Sequence, residues 1–103
     1  LGPDKFARWL RAIVKILLAR ARESDRLRAL EWIRQGIDVM KCGTDENPYP
    51  TDEQQYMLAT CFNVGLECLK TARPLDETRT WFEAAIQIAW TISGGDEQAR
   101  RVR

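Results

Sequence analysis

Residues 49–93, YPTDEQQYMLATCFNVGLECLKTARPLDETRTWFEAAIQIAWTIS, decide the fold. Thr51 predicts a helix start, with Gln54 at the capping-box position; Arg73-Pro74 interrupts that helix, and a second runs on to Gly94-Gly95. At about 100° per residue, Leu58, Cys61, Phe62, Gly65, Cys68, Leu69 and Ala72 share one face, which Met57, Val64 and Leu66 widen. Asn63 falls on the other side with Tyr56, Thr60, Glu67 and Lys70. The stretch reads as a helical hairpin that offers a surface and carries no recognisable chemistry. An aromatic at the edge of the core face, followed by an outward carboxamide, is suited to docking a partner segment, with Phe62 supplying contact area and Asn63 donor and acceptor groups. The plainer alternative makes Phe62 a core residue and Asn63 a solvated one.

In the second helix of this hairpin Phe82, Ala85, Ile86 and Ala89 form a narrow core line. Trp81, Ile88 and Ile92 extend it to one side and Trp90 to the other. More than half the circumference is apolar, so Trp81, Ile88 and Trp90 are a possible second surface, for a partner or for self-association.

Upstream, a first helix is expected from Asp4 to Arg22, with Phe6, Trp9, Leu10, Ile13, Ile16 and Leu17 inward and Val14 at the edge. Behind them Arg8, Arg11, Lys15 and Arg22 line up as possible phosphate contacts, or simply as a solvated face. Ser24 is expected to cap a second helix closed by Gly43, with Leu27, Leu30, Ile33, Ile37 and Met40 inward and Trp32 and Val39 off that line. Two prolines and an acidic run make residues 43–51 an extended linker. The organisation is a basic first hairpin over 4–42, the linker, a second hairpin over 52–93 and a basic tail over 94–103. The fold class is all-α: four helices as two antiparallel hairpins, a degenerate TPR-like solenoid fragment. Gly65, Thr78, Phe82 and Ala85 come within one residue of the tetratricopeptide spacing, whereas Ala29, Ile33 and Gly36 lie 49 residues before the last three, far from the 34-residue period of that repeat.

Composition narrows the function classes. The chain has 103 residues, three cysteines and no histidine. No CxxC pair, Gly-rich phosphate loop or nucleophile–base set is present, so neither enzyme chemistry nor a metal or other cofactor is expected. Three thiols without a disulfide pattern fit a reducing intracellular compartment. The most apolar run, 12–19, is short and contains Lys15, so no membrane span is expected. Residues 1–41 carry ten Lys/Arg against five Asp/Glu, and residues 42–99 three against ten. That polarity suits head-to-tail stacking of repeats, or two different partners.

Tyr49-Pro50-x-x-Glu53, then Leu58-x-x-x-Phe62-Asn63-x-Gly65, then Trp81-x-x-x-Ala85 resembles the tetratricopeptide scaffold family of meiotic crossover formation, known as Zip-four, sporulation-twenty-two or testis-expressed-eleven. Phe62 stands where that family often carries Trp, and so does Met57. The resemblance implies a non-enzymatic interaction scaffold on meiotic chromosomes in the nucleus. It further implies an aromatic-asparagine pair, here Phe62 and Asn63, that docks a synaptonemal-complex central-region partner. Tyr56, Ala59 and Thr60 would shape the groove beside that pair, and a short helix or disordered segment would fill it. The alternative is a helical nucleic-acid-binding module using the basic first helix.

Overall fold

The computed structural model describes residues 2–44 and 46–92. These form four helices, α1 (Pro3–Ala19), α2 (Glu23–Lys41), α3 (Thr51–Lys70) and α4 (Leu75–Thr91), with no strand among the described residues. α1 packs on α2 and α3 on α4, so the two expected hairpins are present. The chain divides into two compact units at Glu53/Gln54. The expected stop at Gly94-Gly95 and the basic tail 94–103 lie outside the described residues. No helix among the described residues is long and apolar enough to cross a membrane.

In the first unit Pro3 opens α1 at a position that needs no backbone donor, and Asp4 sits at the positive end of the helix dipole. The buried stripe is Ala7, Leu10, Val14 and Leu17, facing Ala29, Leu30, Ile33, Gly36, Ile37 and Met40 of α2. This corrects the expected faces: Trp9, Ile16 and Leu27 are exposed, and the centre of α1 is turned toward Ala7 and Val14. Small residues set that turn. A Cβ on Gly36 would collide with the Leu10 side chain, so the helices meet closely where Gly36, Ala29 and Ala7 leave room. Ser24 is not the cap; α2 begins at Glu23 behind Arg22, and no side chain bonds the helix start. Asp25 and Arg26 are buried in its first turn, Asp25 lying 3.9 Å from the Arg20 guanidinium. In the connection Tyr49 is buried, and its hydroxyl is pushed up to about 12, by burial first and the charge of Glu53 second. Glu53, also buried, accepts from the Arg11 guanidinium at 3.2 Å.

In the second unit the buried line of α3 is Gln54, Met57, Cys61, Gly65 and Cys68, and that of α4 is Thr78, Trp81, Ala84, Ala85 and Ile88. Both faces are corrected in the same sense. Phe62, Leu69, Ile86 and Ala89, expected inside, are exposed; Trp81 and Ile88, expected as a possible second surface, are fully buried. Polar partners favour that choice: the Trp81 indole N–H donates to Glu77 Oε2 at 3.4 Å, and the Cys68 thiol approaches the same oxygen at 3.6 Å. Gln54 is buried at the start of α3. Its amide donates to the Thr91 carbonyl and to Thr91 Oγ1, each at 3.2 Å, tying the start of α3 to the end of α4.

Each hairpin turns through an alanine in the left-handed region, Ala21 at φ 56° and Ala72 at φ 55°. After Ala72 the Arg73 N–H reaches the Cys68 carbonyl at 3.0 Å and Ala72 N–H reaches Leu69 at 3.3 Å, the paired bonds of a Schellman stop. Taking the two alanines as equivalent sets each position against one 51 residues on. Leu10/Cys61, Val14/Gly65, Leu17/Cys68, Leu30/Trp81, Ile33/Ala84 and Ile37/Ile88 then all pair buried with buried.

Candidate functional site: an apolar groove on α3 and α4

With Cys61 and Trp81 facing inward, the residues one step round each helix are left outside. Leu58 and Phe62 of α3 and Phe82, Ala85, Ile86 and Ala89 of α4 line an open groove of about 400 Å³. Phe62 and Phe82 meet edge to face, ring centres 5.6 Å apart and planes at 61°. Gly65 makes this possible, because a Cβ there would sit 2.8 Å from the Phe82 ring. Phe62 is 47% exposed and Ile86 56%, values far above those of core residues. Leu66 and Leu69 continue the apolar line of α3, and Leu75 and Trp90 that of α4.

Among the sequence-derived site residues, Phe62 is in the groove. Ala59, one turn before it, is exposed at its flank. Asn63, Tyr56 and Thr60 point about 100–160° away around α3, so the structure does not gather them with Phe62. Asn63 is exposed, Tyr56 half-buried, and the Thr60 hydroxyl donates to the Tyr56 carbonyl at 2.9 Å. Of the second surface only Trp90 is exposed. Leu58, Phe82, Ile86 and Ala89 line the groove without being among the sequence-derived site residues. The available signal was Leu58–Phe62 at i, i+4 and Phe82–Ile86–Ala89 at i, i+4, i+7, more apolar positions than one partner helix covers.

The basic face of α1 is partly engaged. Arg8 pairs with Asp4 at 3.3 Å and Arg11 with Glu53 at 3.2 Å, while Lys15 and Arg22 are exposed. Among the described residues no group of three His, Cys, Asp or Glu is placed to hold a metal. Cys61 is buried and its thiol is pushed up to about 12 by that burial, which keeps it protonated and poorly nucleophilic at neutral pH. What the arrangement offers is contact area.

The 51-residue correspondence sharpens this. Opposite Phe62, Leu66, Phe82, Ile86 and Ala89 stand Arg11, Lys15, Glu31, Gln35 and Asp38. The same outward positions are charged or polar in one hairpin and apolar in the other. No protein-family model, no curated protein and no solved structure matches this chain.

Proposed function

We propose that the chain is a non-enzymatic protein-interaction module, a degenerate tetratricopeptide-like pair of hairpins whose second hairpin receives the apolar face of a partner helix in the groove between Phe62 and Ile86. The observation that carries this is the contrast at equivalent positions: a face that the first hairpin fills with Arg11, Lys15, Glu31 and Gln35 is filled in the second with Phe62, Leu66, Phe82 and Ile86. The hairpin scaffold does not require apolar residues there, so they serve something outside it. Helix-in-groove docking uses such a surface, each well-buried Leu-sized anchor contributing about 1.5–3 kcal/mol before the costs of association. Asn63 lies about 100° round α3 from Phe62 and would act only on a segment that leaves the groove for that face. The crossover-scaffold resemblance names the setting: a central-region component of the synaptonemal complex as partner, on meiotic chromosomes. The nucleic-acid alternative is weakened by the carboxylates already paired with Arg8 and Arg11.

The test is binding of helical peptides tiled along a central-region protein, with Phe62→Ala, Ile86→Glu and Asn63→Ala alongside. Both apolar sites are exposed enough that the fold should survive substitution, which melting curves check. Loss of binding in Phe62→Ala and Ile86→Glu at unchanged melting temperature supports the docking groove. Additional loss in Asn63→Ala supports the aromatic-asparagine pair. Binding indifferent to all three removes the proposal.

A further inference from the structure

A separate apolar face lies on the first hairpin. Trp9 and Trp32 meet edge to face with ring centres 5.0 Å apart, and Phe6 adds a third ring 5.9 Å from Trp9. Ile13 and Ile16 carry the line on along α1, at i+4 and i+7 from Trp9. Trp9 is 44% exposed and Ile16 62%, although both sit at core spacing. A contiguous exposed apolar patch rimmed by polar residues marks an interaction site.

Its rim has one sign. Lys5 stands four residues before Trp9, Arg20 four after Ile16, and Arg28 four before Trp32, all three exposed. No Asp or Glu stands three or four residues from Trp9, Ile13, Ile16 or Trp32, the spacings that bring helical side chains together. Asp25, 3.9 Å from Arg20, is buried beneath this rim and accounts for one of the three cations only in part. The groove of the second hairpin differs, with Arg79 and Glu83 both bordering it. An exposed aromatic stripe whose charged neighbours at helical spacing are cations selects for apolar side chains flanked by carboxylates.

We propose that the face formed by Phe6, Trp9, Ile13, Ile16 and Trp32 is a second docking surface, and that its occupant is an acidic amphipathic helix of a partner protein. The apolar face of that helix covers Trp9 and Ile16, and its flanking Glu or Asp meet Lys5, Arg20 and Arg28. This surface is independent of the groove, and the chain then joins two partners of different charge character.

The test uses a synthetic helix with Leu at i, i+3, i+4 and i+7 and Glu elsewhere, and a twin with Lys in place of Glu. Both are fluorescently labelled and titrated with the whole chain at low and high salt. The expected result is binding of the Glu helix at least about tenfold tighter than its twin, weakening as salt rises. Lys5→Glu/Arg28→Glu should reverse the preference, Ile16→Glu should abolish binding, and Ile86→Glu on the other hairpin should leave it intact, all with native melting curves. Equal binding of the two helices overturns the proposal. So does loss in Ile86→Glu with retention in Ile16→Glu, which would assign the peptide to the groove and leave the groove's own function standing. Comparable binding of anionic phospholipid vesicles or of single-stranded DNA that competes with the Glu helix also overturns it, by making the face a general anion surface.

Discussion

Ala21 and Ala72 hold a methyl group where backbone sterics disfavour one, at φ 56° and 55°. A left-handed alanine costs about 1–2 kcal/mol, of which glycine recovers part, less its greater freedom in the unfolded chain. Ala72→Gly should therefore raise stability by about 0.5–1 kcal/mol, read as a higher urea midpoint at constant slope. A lower midpoint would mean that the turn is not left-handed. The thiols divide just as sharply: Cys42 is exposed, Cys61 and Cys68 buried. One thiol per chain should react with a disulfide reagent under native conditions and the other two only on unfolding. Burial lifts Cys61 from 9.0 to about 12, and burial with the Glu53 charge lifts Tyr49 from 10.0 to about 12. Both folded values lie above the unfolded ones, so their contribution is full below about pH 9 and is lost as pH rises toward 12. A stability profile taken over that range should fall, and less steeply in Cys61→Ala. Glu53 and Gln54 show what single residues conceal: both are buried, and nothing in their spacing announces it, because their partners Arg11 and Thr91 lie far along the chain.

At the scale of the helix, Gln54 is the clearest case of a side chain whose partner lies far along the chain. Its two bonds to Thr91 join the open end of the second hairpin, and Gln54→Ala should cost about 1–2 kcal/mol by removing both bonds of a buried amide, measurable by denaturant titration. Gly65 acts on the neighbouring stripe. Gly65→Ala gains helix propensity but drives the Phe82 ring outward, so stability should change by less than about 1 kcal/mol while peptide binding in the groove weakens several-fold. Unchanged binding would mean that Phe82 does not shape the groove. The helices and their pairing were legible because punctuation at Pro74, Gly43 and Pro48 and the apolar periodicity agree. The faces were not. Where apolar residues span more than half a helix, as from Trp81 round to Trp90, periodicity marks two candidate inward lines, and the choice rests on small residues such as Gly36 and Gly65 and on polar partners such as Glu77. Phe62 was legible as an aromatic at an edge; its companions Phe82 and Ile86 were not, because they were assigned to the inside.

For the molecule as a whole, the two hairpins share a buried pattern and differ in what they show to solvent. Replacing Phe62 and Ile86 with the residues found at the equivalent positions, Phe62→Arg and Ile86→Gln, should preserve the fold within about 0.5 kcal/mol per substitution and abolish groove binding. Circular dichroism melts and peptide titration together check this, and retained binding would locate the docking site elsewhere. Because Ala21 and Ala72 stand 51 residues apart, unequal recombination that copies one such interval in frame gives the offspring a whole hairpin, with its turn, its buried stripe and its entry and exit all in phase. Outward positions can then change without touching the buried stripe, as the contrast of Arg11 with Phe62 at equivalent places illustrates.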